Sequence, residues 1–144
     1  MATPTHIVSG GNKRYAVTVS NNGQIVTAPY AYDMTEFREL AADDTAYNFY
    51  TPIGGKQFVM TGVYAVADKQ VSGSVSAAVI VYEATSAGTT TVAKVLVQTA
   101  IVQDQVHFFS GLNILVSEGV FINAKTTDDD VHMTITGYFI PNVE

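Results

Sequence analysis

The chain has 144 residues, of which 47% are hydrophobic and 14% charged, and this composition excludes a disordered protein. The length is that of a single domain with one core. The 7 basic residues are scattered among 13 acidic ones and the net charge is −6, so we expect no direct binding to nucleic acid. Cysteine is absent, which excludes disulfides, a thiolate nucleophile and a Cys-based zinc site.

The first 30 residues predict a hairpin or an arm. No basic segment followed by an apolar one begins the chain, so we expect no cleaved signal peptide. Pro4 and the Gly10-Gly11 pair predict a flexible or externally anchored start in residues 1–12. Residues 13–20 then alternate, and Asn22-Gly23 separates them from an apolar run at 24–28. An Asn-Gly pair between two such runs predicts a hairpin, or an arm that reaches a neighbouring molecule.

Residues 30–50 are rich in aromatic side chains and ambiguous in secondary structure. Asp33 or Thr35 is a suitable N-cap for a helix of one or two turns over residues 33–40, although a strand fits the same segment. Residues 45–50 return to strand character and end at Pro52. We therefore expect residues 1–44 to form the arm and a connecting segment.

Short strands follow one another from residue 45 to residue 140. The predicted strands after the first are 58–67, 75–83, 91–102, 106–109 continuing at 112–116, 120–125 and 131–140. The apolar run 75–83 predicts a central strand that is covered on both sides. In the last strand, Val131, Met133, Ile135, Gly137 and Phe139 share one face, and His132, Thr134, Thr136, Tyr138 and Ile140 share the other. This alternation predicts a half-buried antiparallel strand.

The fold class follows from the number and spacing of these strands. Seven or eight short strands without a convincing helix predict an all-β protein, an antiparallel two-sheet β-sandwich or a barrel. Eight strands in a domain of this size favour the jelly roll. We assign residues 45–144 to this sandwich. No apolar run is long enough to span a bilayer, so we expect no membrane partner.

The sequence contains no recognisable catalytic, cofactor or metal motif. His6, His107 and His132 are isolated, without a second ligand at metal spacing. The carboxylates of Asp33, Glu36 and Glu39 lie on one short segment, where solvated charges are expected rather than an acid–base pair. Asp128-Asp129-Asp130 lacks the ligand spacing of an EF-hand and predicts a solvated hairpin tip, with a weak cation site as the alternative.

Aromatic side chains are the remaining functional signal. Phe108 and Phe109 are adjacent, so strict alternation turns one of them outward. Exposed aromatic residues are typical of protein interfaces and of sugar-binding platforms, and packing in the core is the alternative. Our interface candidates are Tyr15, Tyr30, Tyr32, Phe37, Tyr47, Tyr50, Phe108 and Phe109.

Four stretches carry a resemblance to a known family: KQFVMTGVYA (residues 56–65), AVIVYEA (78–84), NAKTTD (123–128) and TITGYFIP (134–141). Together they resemble the small all-β structural proteins of tailed-bacteriophage virions, in particular head decoration or cement proteins with a jelly-roll, tumour-necrosis-factor-like fold. The resemblance covers residues 45–141. Similar domains also occur in phage tails and fibres.

The resemblance implies a non-enzymatic protein without cofactors. Members of that family form trimers on the outer capsid surface and bind the major capsid protein, which implies a homotrimer that is assembled in the host cytoplasm and located on the virion. The N-terminal arm would contact the shell. A carbohydrate-binding or receptor-binding sandwich in a tail or fibre is the alternative. That alternative expects the aromatic residues of 30–50 in a line on an open face.

Overall fold

The computed structural model describes residues 5–8, 14–17, 34–41, 44–67, 77–102, 105–127 and 130–141. These residues contain ten β-strands and no helix. The strands are β1 (Thr5–Val8), β2 (Arg14–Val17), β3 (Met34–Leu40), β4 (Tyr47–Tyr50), β5 (Lys56–Ala67), β6 (Ala77–Ala84), β7 (Lys94–Ile101), β8 (Val106–Leu115), β9 (Phe121–Thr126) and β10 (Val131–Pro141). Accordingly, the described residues include no helix that could cross a membrane.

The N-terminal unit, Met1–Tyr30, contains a hairpin with an unexpected pairing. β2 pairs antiparallel with β1, and Thr5 lies opposite Val17. The sequence predicted a partner at 24–28 across Asn22-Gly23, and those residues lie outside the described part of the chain. Gly10-Gly11 lies between the two observed strands, and a connection of three to five residues containing Gly is also a hairpin signal. The start that was expected to be flexible or externally anchored therefore supplies a strand.

The second unit, Ala31–Glu144, is a sandwich of two four-stranded antiparallel sheets. One sheet has the order β3-β10-β5-β8 and the other β4-β9-β6-β7. Four of the pairings are nested in the sequence: β3 with β10, β4 with β9, β5 with β8, and β6 with β7. The sandwich is therefore a long antiparallel double strand wrapped into two layers. This arrangement is the predicted jelly roll.

Segment 33–40, which the sequence left open between a helical turn and a strand, contains the edge strand β3. Its residues pair with β10 from Leu40 opposite Val131 to Met34 opposite Gly137. The sandwich therefore includes residues that we had assigned to the connecting segment, and it begins before residue 45. Short segments take their structure from such pairing rather than from local propensity.

The core lies between the two sheets and follows the alternation of β10. Val131, Met133 and Ile135 are fully buried, whereas the residues between them are half-buried. The stacked rings of Tyr50 and Phe58, with centroids 4.9 Å apart, extend this core. The predicted inner face of β10 is confirmed, and β6 is a central strand between β9 and β7 as expected.

Side chains close both open sides of the sandwich. On one side, Arg38 forms an ion pair with Glu36, and its Nε donates a hydrogen bond to the carbonyl oxygen of Asn48 in β4 at 3.2 Å. On the other side, Thr99 Oγ1 and His107 Nδ1 are 3.2 Å apart and join β7 to β8. These polar contacts satisfy groups at the rim of the core.

Replacing Gly137 by Ala should destabilise the sandwich. The pairing of β10 with β5 shifts register between Thr136 and Gly137, and a Cβ at Gly137 would collide with the ring of Phe58 and the carbonyl oxygen of Val59. We expect a loss of about 1–3 kcal/mol from overpacking, measured by urea unfolding. Gly54→Ala is the control, because a Cβ at Gly54 meets no atom within 4 Å. Equal unfolding midpoints for the two variants would contradict the packing described here.

Candidate interaction surface

The outer face of sheet β3-β10-β5-β8, which points away from the other sheet, carries an aromatic row across all four strands. Phe37 lies opposite Thr134, Thr134 opposite Tyr64, and Tyr64 opposite Phe108. Residues directly opposite each other in an antiparallel pair point to the same side, so the four side chains form one line. We call Phe37, Thr134, Tyr64 and Phe108 the aromatic row.

The aromatic row is exposed to solvent. Phe37 is 57% exposed, Tyr64 38% and Phe108 65%. The ring centroids of Tyr64 and Phe108 are 6.3 Å apart, and the two planes make an angle of 63°. Large aromatic side chains at such exposure are typical of surfaces that become buried in an assembly.

The neighbouring row of the same face extends the apolar surface. It consists of Glu39, His132, Val66 and Val106, which the registers place opposite one another. His132 contacts Phe37 edge to face, with ring centroids 5.7 Å apart. Among these eight residues, Glu39 carries the one formal charge when histidine is neutral. A partner can therefore cover this face with little desolvation of charge.

The chain itself covers part of the outer face of the other sheet. Tyr82 and Asn123 point outward there, but both are fully buried beneath the connection between β6 and β7. The Tyr82 hydroxyl donates to the carbonyl oxygen of Thr89 at 2.6 Å, and Asn123 Nδ2 donates to the carbonyl oxygens of Ser86 and Thr89. Desolvation by burial raises the pKa of Tyr82, although its hydrogen bond to Asn123 acts in the opposite direction.

The eight interface candidates separate into three groups. Phe37 and Phe108 are on the aromatic row. Tyr47 and Phe109 are half-buried against the core, and Tyr50 is a core residue that offers no surface to a partner. The expectation that one of the adjacent residues Phe108 and Phe109 faces outward is confirmed. The side chains of Tyr15, Tyr30 and Tyr32 lie outside the described part of the chain.

Within the described ranges, the polar side chains that we considered for chemistry do not come together. Glu36 lies opposite the buried Ile135, whereas Glu39 lies opposite His132 on the outer face, so these two carboxylates point to opposite sides of β3. Asp33, Asp128 and Asp129 lie outside the described residues. Asp130 was predicted to belong to a solvated hairpin tip, and this prediction is wrong because Asp130 is buried. In the described ranges, no three His, Asp or Glu side chains are placed to hold a metal ion.

Sequence reasoning missed a buried carboxylate at one end of β6. Glu83 is 4% exposed, and its two oxygens accept hydrogen bonds from the Ser117 backbone N–H at 2.9 Å and the Ser117 hydroxyl at 2.8 Å. Lys94 Nζ, on the neighbouring strand, lies 3.3 Å from Glu83 Oε1. A charged residue inside the apolar run AAVIVYEA was the available signal, because a buried carboxylate requires partners.

Comparisons with known proteins assign no family to this chain. No family profile and no curated protein matches the sequence. The chain is similar to a chain in the solved structure of infectious bursal disease virus Gx strain, with 10% sequence identity and a TM-score of 0.28. The similarity covers 94% of this chain and spans 37% of the viral one.

Proposed function

We propose that this protein is a non-enzymatic structural protein of a tailed-bacteriophage virion, a head decoration protein that binds the outer capsid as a trimer and stabilises it. The observation that carries the proposal is the exposed aromatic row on an outer face with little charge. The resemblance of residues 45–141 to phage decoration proteins supports the location and the trimer.

Binding would stabilise the capsid by mass action alone. A protein that binds the expanded shell, and not the unexpanded one, shifts the equilibrium toward the expanded shell in proportion to its affinity. The aromatic row would form the contacts between subunits of the trimer, because burial of apolar area provides affinity without a reaction, and the trimer would bind the shell as one unit. The protein has a net charge of −6, so capsids that carry it on their outer surface would repel one another and stay dispersed.

The test is the mass of the purified protein in solution, measured by light scattering. We expect a trimer for the natural sequence and for Val95→Glu, and a smaller species for Tyr64→Glu. Tyr64 is at the centre of the outer face, whereas Val95, 47% exposed, is on β7 of the other sheet. The two variants add the same charge at positions on different sheets.

Two results would contradict this proposal. A natural chain that is monomeric at all concentrations would remove the trimer. A trimer that Tyr64→Glu leaves intact would place the subunit contacts elsewhere. Sedimentation of the same variants with expanded and unexpanded shells of the virus that encodes the chain then tests capsid binding, where Tyr64→Glu is expected to bind more weakly than Val95→Glu.

A carbohydrate-binding module of a phage tail or fibre is the second candidate, because the aromatic row is a line of rings on an open face. Two features weigh against it. Sugars stack on ring faces, whereas Tyr64 and Phe108 meet at 63° and present no continuous flat surface. The chain also contains no Trp. Binding of the natural chain to a glycan array, lost in Tyr64→Glu, would favour this candidate.

A further inference from the structure

The four edge strands of the sandwich differ in how they are protected. Edge strands present unpaired backbone N–H and C=O groups, which proteins usually protect with charged side chains, short strands or bulges. The edges are β3, β8, β4 and β7. β3 carries three charged residues, β4 has only 4 residues, and β7 begins with Lys94. β8 has 10 residues and no charge.

The first half of β8 is its regular part. Its pairing with β5 shifts register between Met60 and Gly62, opposite Ile114 and Ser110, and Gly111 in that interval has a φ of 69°. This irregularity bends the strand and interrupts the ladder. The segment Val106, His107, Phe108, Phe109 and Ser110 therefore forms an uninterrupted edge. Phe108 lies at its centre and is the end of the aromatic row.

We propose that two copies of this chain pair antiparallel along β8, about a two-fold axis at Phe108. In this register Val106 lies opposite Ser110, and the two Phe108 residues lie opposite each other. The paired segment ends before Gly111 in both copies, so the irregular part of the strand is left out. The two sheets β3-β10-β5-β8 become one sheet, and the aromatic row continues from one copy into the other.

Charge and symmetry both favour a second copy as the occupant. The chain carries a net charge of −6, so two copies repel each other unless they meet at a surface without charges. The β8 edge is such a surface, and like charges never face each other across the proposed pair. An antiparallel pair of identical strands is self-complementary, as a two-fold interface requires. The exposed ring of Phe108 finds its partner in the same ring of the other copy.

This contact goes beyond the proposed function, although it shares Phe108 with the aromatic row on which that function rests. A two-fold contact produces dimers, or joins two trimers into a hexamer, whereas a trimer on its own uses a three-fold contact. The two assemblies therefore differ in mass, and each can be present without the other.

A charge-swap experiment at Phe108 tests the register. In Phe108→Glu and in Phe108→Lys, like charges face each other across the axis, so we expect each variant to dimerise at least about tenfold more weakly than the natural chain. An equal mixture of the two variants places Glu opposite Lys and should recover the dimer or hexamer that the two-fold contact produces. Sedimentation velocity over a range of concentrations measures these species. Phe108 is mostly exposed, and circular dichroism verifies that both variants are folded.

Disulfide cross-linking provides a second readout that needs no charge. Because the natural chain has no cysteine, Phe108→Cys introduces a single thiol that would lie opposite itself in the pair. We expect a covalent dimer under mild oxidation. Leu115→Cys is the control, since Leu115 is exposed on the same strand beyond Gly111. Three results would each overturn the pairing. The two cysteine variants could cross-link equally, or the mixture of Phe108→Glu and Phe108→Lys could fail to recover a dimer or hexamer. The natural chain could also form neither a dimer nor a hexamer.

Discussion

Replacing Val79 by Asp should unfold the sandwich. Val79 is 2% exposed and lies on β6, between β9 and β7. Its cross-strand neighbours are Thr126 and Thr99, neither of which carries a charge that could pair with a carboxylate. An unpaired charge in such a site costs several kcal/mol, a large part of the roughly 5–15 kcal/mol that stabilises a domain. We expect no cooperative thermal transition, measured by circular dichroism.

Ile80→Asp is the matched control for this experiment. Ile80 is the next residue on the same strand, it points to the outer face, and it is half-buried. We expect this variant to fold with a lowered melting temperature. If Val79→Asp melts at the temperature of the natural chain, or if Ile80→Asp is the more damaging change, the inner face of β6 has been assigned incorrectly.

The sequence was sufficient to predict the sandwich because alternation determines which face a strand buries. The last strand is the clearest case, where three alternate apolar residues are fully buried. The central position of β6 could also be predicted, since a run of apolar residues fits a strand that is covered on both sides. Segment 33–40 was ambiguous because a single turn of helix and an edge strand tolerate the same polar residues.

Irregular pairing explains where alternation was misleading. In β4, the register with β9 shifts between Asn48 and Tyr50, so Phe49 and Tyr50 are both buried although they are adjacent. Strict alternation turns one of two neighbouring residues outward. Tyr50 was therefore a reasonable interface candidate that local irregularity placed in the core.

The candidate surface could be predicted only in part because it depends on register between strands distant in the sequence. Phe37 and Phe108 were both among the interface candidates from the sequence. Tyr64, which connects them in space, was not among the candidates. A slip of one residue in any of the three pairings would remove a ring from the aromatic row. The register between these strands is set by tertiary structure, and the pattern within a single strand does not contain it.

Glu83 should stabilise the fold at neutral pH and lose this effect in acid. Burial by itself would raise the pKa of the Glu83 carboxyl. The pKa is nevertheless lowered, because the carboxylate accepts hydrogen bonds from the Ser117 backbone N–H and hydroxyl and lies beside the Lys94 ammonium, and together these outweigh burial. A carboxyl whose pKa is lower in the folded state stabilises that state above its unfolded pKa, about 4.3. The stabilisation disappears as the pH falls through the folded value.

Comparison of the natural chain with Glu83→Gln isolates this carboxylate from the other acids. Gln has the same size but no charge, and it places an amide donor where one carboxylate oxygen accepts. At pH 7 we expect Glu83→Gln to be less stable by about 2–4 kcal/mol, since two hydrogen bonds to a buried charge are weakened. The difference in melting temperature should begin to shrink as the pH falls below the unfolded pKa, about 4.3, and should be smallest once the pH has passed the lower folded pKa, where the carboxyl is neutral in both states. A difference that stays constant with pH would indicate that shape, rather than charge, holds Ser117.

Lys94→Ala separates the ion pair from the hydrogen bonds. The Lys94 side chain is 55% exposed, so water screens its attraction to the carboxylate. We expect a loss below about 1 kcal/mol, smaller than that of Glu83→Gln. The order of the two effects identifies what Glu83 does in the fold. A carboxylate held mainly by Ser117 fixes the connection between β8 and β9 to β6, and thereby ties the end of one sheet to the other.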